Sequence, residues 1–128
     1  MKESIDRPSI IVACAEEPLG RVLAHALRSM GCGVERVTSH KALLLRTRQH
    51  HYALILTCFY APLLSDYRMA RLLRGSEGTA IFVLTTSRSA NEVVVLLERG
   101  VEQVLSLPVS ITRLRSKIEH RISKTITL

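Results

Sequence analysis

The residues best placed to do chemistry gather around the stretch Tyr52 to Pro62, YALILTCFYAP, where an apolar run ends in a thiol. A cysteine offers nucleophilic and soft-metal chemistry, but only as the thiolate, which needs a lowered pKa and exposure. The expected neighbours of Cys58 are Thr57, Phe59 and Glu16, none of them a cation. Cysteine is also among the most buried residue types, as a plain small hydrophobe. Cys14 ends a second apolar run, SIIVAC, so two thiols are expected near the carboxyl ends of strands that lie close together, where a redox switch is a minor alternative. With Cys32 the count is odd, and a chain of this length folds without staples, so a disulfide framework is not expected. The spacing suits no zinc motif either. His50-His51 sits at a helix end without further ligands, and Arg68, Arg71 and Arg74, at i, i+3 and i+6, form a stripe that solvation alone accounts for. No metal or cofactor is expected, and no enzyme activity, because no nucleophile, base and orienter are grouped in sequence.

The elements that must position these groups alternate regularly. Ser9 to Cys14 reads as a buried strand, followed by a helix with Pro18 near its first turn and Leu19, Val22, Leu23, Ala26, Leu27 and Met30 at helical spacing. Gly31 to Gly33 end it. A weakly alternating strand, 33–38, is expected nearer a sheet edge, and Ser39 can cap a helix over 40–50. The central strand, with Leu54, Ile55 and Leu56, breaks at a loop containing Pro62, and a helix is expected from about Ser65 to Arg74. GSEG is a turn, Ala80 to Thr85 a buried strand, and Ser89 with Glu92 a capping box for a helix to about Arg99, ended by Gly100. Val101 to Leu105 is a short strand, Pro108 breaks the chain, and Ser110 caps a last helix to about Ile122. Five strands alternating with five helices call for a doubly wound α/β fold, a parallel five-stranded sheet with right-handed crossovers and both faces covered. In such sheets ligands bind beyond the carboxyl ends of the strands. That places Cys58 on the rim of the crevice.

Composition sets the outer limits. The 128 residues, 47% hydrophobic, fit a single domain over 1–128, with a core at about 9–122 and flexible ends at 1–8 and 123–128. No apolar run approaches the ~20 residues that span a bilayer, and MKESIDRPS has no signal-peptide core behind it, so a cytoplasmic protein without membrane contact is expected. Eighteen Lys and Arg against 11 Asp and Glu give +7, which admits a polyanion or an acidic protein as partner. Direct nucleic-acid binding is not expected: the cations are spread over every helix, few aromatics are available for stacking, and no helix-turn-helix, zinc-finger or RNA-binding signature appears.

From Ser9 to Ile122 the punctuation resembles the receiver domain of bacterial two-component response regulators. Glu17-Pro18 with Arg21 resembles the start of that family's first helix, and Tyr52-Ala-Leu-Ile-Leu its third strand. Pro62 stands four residues beyond Cys58, the family's interval from phosphorylated aspartate to loop proline, and Gly100-Val-Glu-Gln-Val-Leu-Ser-Leu-Pro108 is similar to Gly-Ala-Asp-Asp-Tyr-Leu-Thr-Lys-Pro. The resemblance implies a CheY-like, flavodoxin-type (βα)5 fold with strand order 2-1-3-4-5. It also implies departures at most of the chemical positions. Cys58 stands at the phosphoacceptor, Ala15 and Glu16 at the acid pair that holds magnesium, and Leu107 at the lysine that steadies the phosphoryl group. Thr85 keeps the switch threonine, and Val104 occupies the switch aromatic position.

Phosphoryl transfer to a carboxylate needs a nucleophilic oxygen, a metal and a cation at the developing charge. The expectation is therefore a degenerate pseudo-receiver, independent of phosphorylation, serving as the N-terminal regulatory or dimerisation domain of a transcriptional regulator with a fused DNA-binding domain. A stand-alone protein adaptor is the alternative, and a small flavodoxin-type enzyme is disfavoured because residues 15–20 form no phosphate cradle. Output through a homodimer is expected on the face made by the helix after the fourth strand, the fifth strand and the last helix. If Ala90, Val93 and Leu97 turn to the sheet, Val95 and Leu96 become its apolar centre, with Glu98, Glu102, Arg113 and Lys117 around it.

Overall fold

The computed structural model describes residues 7–75 and 78–126. Of the ends expected to be flexible, 1–8 and 123–128, residues 1–6 and 127–128 lie outside the described residues, as do Ser76 and Glu77 of the GSEG turn. Five parallel strands, β1 (Ser9–Ala13), β2 (Gly33–Val37), β3 (Leu54–Thr57), β4 (Ala80–Thr85) and β5 (Gln103–Ser106), form one sheet in the order β2-β1-β3-β4-β5. The helices are α1 (Glu17–Arg28), α2 (His40–Gln49), α3 (Ala61–Ser65), α4 (Met69–Arg74), α5 (Ala90–Glu98) and α6 (Ile111–Ile126).

Strand alternation divides the interior in two. Ile10, Val12, Leu54, Leu56, Phe82 and Leu84 point to one side, where Leu23 and Leu27 of α1 and Leu114 and Ile118 of α6 cover them. Ile11, Ala13, Ile55, Ile81 and Val83 point to the other, under Leu43, Leu63, Leu73 and Leu96 from α2, α3, α4 and α5. Because β1, β3 and β4 are buried on both sides, they read as unbroken apolar runs. β2, half-buried throughout, is an edge strand, as its weak alternation implied.

The structure corrects several local expectations. The helix expected over 65–74 is two short helices, and Pro62 opens the first of them instead of sitting in a loop, since proline's missing N–H is no loss in a first turn. The break falls at Asp66, whose Oδ1 accepts from the Arg68 amide at 2.9 Å, a local side-chain bond that competes with helix continuation. The capping box at Ser89 is indirect. Ser89 Oγ accepts from Glu92 N at 3.2 Å, but the Glu92 carboxylate takes the Ser87 hydroxyl, and Ser87 Oγ in turn accepts from Ser89 N at 3.3 Å. The last helix continues past Ile122 to Ile126.

A further correction concerns α5. Leu96 is buried, whereas Leu97 is 47% and Val94 50% exposed, so the face turned to the sheet is not the expected one. The cause is the helix end. Gly100 takes φ +108°, with Gly100 N donating to Leu97 O and Val101 N to Leu96 O, both at 3.1 Å. This glycine closure brings the residue after Gly100 against the residue four before it. Val101 and Leu96 accordingly share one cluster. The same closure delays β5 to Gln103. Gly31 ends α1 in the same way, joining Leu27 to Cys32. Val22, expected in the α1 stripe, is 51% exposed.

Candidate functional site

At the carboxyl edge of the sheet the ends of β1, β3, β4 and β5 converge. Cys58 N donates to Ala13 O at 2.9 Å, which carries the pairing of Ala13 with Thr57 one step further and sets Cys58 beside Cys14. Both side chains lie on the α1 and α6 side of the sheet, Cys14 buried and Cys58 half-buried. The Cys14 thiol donates to Glu16 O at 3.5 Å. Thr57 is fully buried, with Oγ1 accepting from Phe59 N at 3.0 Å, so Cys58 is the residue that meets the crevice.

The electrostatics of Cys58 follow from this packing. Burial pushes its pKa up, the neighbouring Cys14 thiol and the Glu16 carboxylate push it further, and it reaches about 12. No cation offsets them. At neutral pH the group is a protonated thiol, a weak nucleophile and a weak ligand.

The other positions complete a quiet cleft. Ala15 and Glu16 are exposed. Thr85 is buried at the end of β4, where its Oγ1 accepts from Ser87 N at 2.9 Å and its carbonyl from Leu107 N at 2.8 Å. Thr57 and Thr85 thus end their strands with the same hydroxyl-to-amide turn. Leu107, before a cis peptide bond to Pro108, packs on the α1 and α6 core, and Val104 on the opposite core. Among the described residues no group of three or more His, Cys, Asp or Glu is arranged to hold a metal. Magnesium wants hard oxygens in near-octahedral array. One exposed carboxylate beside two thiols, an alanine and a leucine does not fit it.

No protein-family model matches the sequence, and neither does any curated protein. Solved structures do match. The orphan response regulator HP1043 of H. pylori superposes with a TM-score of 0.80 at 19% identity, over 90% of this chain and 96% of that one. The receiver domain of the sensor histidine kinase PA1611 from Pseudomonas aeruginosa, with magnesium coordinated in its active-site cleft, gives 0.74 at 22% identity, over 91% and 98%. The beryllofluoride-activated NtrC4 receiver-domain dimer gives 0.79 at 16%, over 91% and 98%. The fold is that of a receiver domain.

Within the receiver fold, the residues expected at the output face are only partly brought together. Val95 turns the other way, lining a cavity of about 440 Å³ with Tyr67, Arg71, Glu98 and Arg99, while Arg99 Nη2 donates to Leu64 O at 3.1 Å. Leu96 is in the core, so Val94 and Leu97 are the exposed apolar residues of α5. Glu98 is exposed, Glu102 pairs with Arg121 at 3.0 Å, and Arg113 and Lys117 stand one turn apart on α6. No helix among the described residues is long and apolar enough to cross a membrane.

Sequence reasoning passed over two features of the receiver fold here. His40, at the start of α2, meets Phe59 edge-on at 6.3 Å with both ring nitrogens buried and unpaired, and burial holds its pKa below the ordinary value. Glu35 of β2 accepts from the Tyr52 hydroxyl at 2.5 Å and from the Arg46 guanidinium, tying β2, β3 and α2 together. Burial pushes the Glu35 carboxyl up, but the bonds from Arg46 and Tyr52 together outweigh it and leave it lowered. Tyr52 is raised to about 12 by burial and by that carboxylate. Only the pairing of β1 with β2 and β3 brings these residues together, so no local pattern announced them.

Proposed function

We propose that this receiver fold is a signalling module that works without phosphoryl transfer, its output being protein association through the face of α5, β5 and α6. The observation that carries the reading is Cys58, a protonated thiol at the position where the receiver resemblance places the phosphoacceptor. Leu107 and Val104 support it, because apolar side chains fixed on the two cores replace a charge and a moving aromatic. The resting conformation is then set by packing, and a partner or the amount of protein supplies the signal. The raised Cys58 pKa weighs against a redox sensor, which needs a thiolate.

The association we infer is a twofold homodimer with Val94 and Leu97 at its centre and Glu98, Glu102, Arg113 and Lys117 around them, each patch meeting its own copy. The NtrC4 neighbour, a receiver dimer, is consistent with it. The module fits the N-terminal part of a two-component transcriptional regulator whose DNA contacts are made by a fused domain. Light scattering tests the reading: a dimer is expected whether or not magnesium and acetyl phosphate are present, and Leu97→Asp is expected to give monomer. A monomeric wild type, or a mass that changes with the phosphodonor, contradicts it.

A further inference from the structure

We infer that the outward face of α2 and α4 is a docking surface for an acidic, amphipathic helix of another protein. The cations are spread along the chain, but this part of it is nearly free of acids and so carries most of the net charge. Residues 36–75 hold seven Lys or Arg against one acid, Asp66, and 36–65 contain no Asp or Glu at all. α2 and α4 pack against each other on the same side of the sheet, each inserting a leucine, Leu43 and Leu73, into the core beneath.

Opposite Leu43, α2 presents Lys41, Leu45 and Arg48, all exposed, at i, i+4 and i+7, a stripe about 10 Å long. Opposite Ala70 and Leu73, α4 presents Arg71 and Leu72. Leu45 is 55% and Leu72 54% exposed, and Tyr67, 66% exposed, shares a cavity with Arg71. Several nearby cations are already engaged, Arg46 by Glu35, Arg68 by Asp66 at 3.6 Å and Arg74 by Gly100 O at 2.7 Å. Lys41, Arg48 and Arg71 have no ion pair among the described residues.

Two exposed leucines framed by three unpaired cations, with no acid on either helix, define the complement. It carries carboxylates on both sides of an apolar stripe. A nucleic acid would answer the charge but leave Leu45 and Leu72 without partners, and Tyr67 is the one aromatic on this face able to stack. A protein segment answers both. The surface adjoins the one formed by α5, β5 and α6 at the cavity that Tyr67 and Arg71 share with Val95 and Glu98, while Lys41, Leu45 and Arg48 of α2 lie outside that cavity.

The probe is a fluorescein-labelled synthetic helical peptide with a leucine stripe flanked by glutamates, titrated with the full chain and followed by anisotropy. Saturable binding that weakens with salt is expected. The Arg48→Glu, Arg71→Glu double variant should bind at least about tenfold more weakly, and so should Leu45→Ser with Leu72→Ser. Arg21→Glu with Arg28→Glu, two exposed positions of α1, should bind as the wild type does, and circular dichroism should show all variants folded. No binding, binding indifferent to the α2 and α4 variants, equal binding of a peptide whose leucines are replaced by serine, or tighter binding of a short DNA duplex would each overturn the inference. Leu45 and Leu72 lie outside the cavity that Arg71 shares with Glu98, so the leucine pair tests this surface and light scattering tests the dimer separately.

Discussion

A thiol held near pKa 12 behaves at neutral pH as a small apolar side chain. Iodoacetamide should therefore modify Cys58 of the folded chain far more slowly than a free thiol between about pH 7 and 9, the difference vanishing in denaturant. Peptide mass spectrometry checks this, and rapid native modification at Cys58 would contradict it. His40 makes a second prediction at this scale. Its folded pKa lies below the unfolded value of 6.5 because burial disfavours the imidazolium. Below that value the unfolded chain binds the proton more readily, so His40 contributes a loss of stability as pH falls below 6.5 and none above it. Urea melts at stepped pH should show this slope in the wild type and a shallower one in His40→Leu; identical slopes would contradict it. Cys58 was legible in sequence because it ends an apolar run four residues before Pro62. His40 was not, since its burial depends on Phe59, which only the fold brings near.

Among the elements, α5 shows what periodicity alone misses. Five successive apolar residues, Val93 to Leu97, leave the buried face undecided, and the choice falls to Gly100. In urea denaturation of the dissociated chain, Leu96→Ala should cost about 2–5 kcal/mol and Leu97→Ala no more than about 0.5 kcal/mol. The reverse ranking would contradict the orientation. Gly100→Ala should cost about 1–3 kcal/mol, because φ is +108° and a Cβ would come within 1.8 Å of Arg74 Nη2, itself bonded to Gly100 O. The glycine was visible in the sequence as a stop signal. Its second message, that Leu96 must pair with Val101, lies in the helix-end bonds. The Asp66 break, by contrast, depends on one side-chain bond that competes with an otherwise good helical pattern.

For the whole molecule, layering was legible because β1, β3 and β4 each read as a continuous apolar run and turn residues separate the elements, whereas the strand order was what the receiver resemblance implied. The crevice was legible as a place, since parallel strands end together there. Its partner surfaces were less so: the α5 face was rotated, and the basic face of α2 and α4 emerged only when two helices distant in sequence proved adjacent. The proposed function rests on a receiver fold whose cleft, as we propose, carries out no phosphoryl transfer. The most direct measurement is intact mass after incubation with magnesium and acetyl phosphate, comparing the wild type with the triple variant Ala15→Asp, Cys58→Asp, Leu107→Lys. The account predicts an unchanged wild-type mass and one added phosphoryl group on the variant. A stable phosphoryl adduct on the wild type would contradict it.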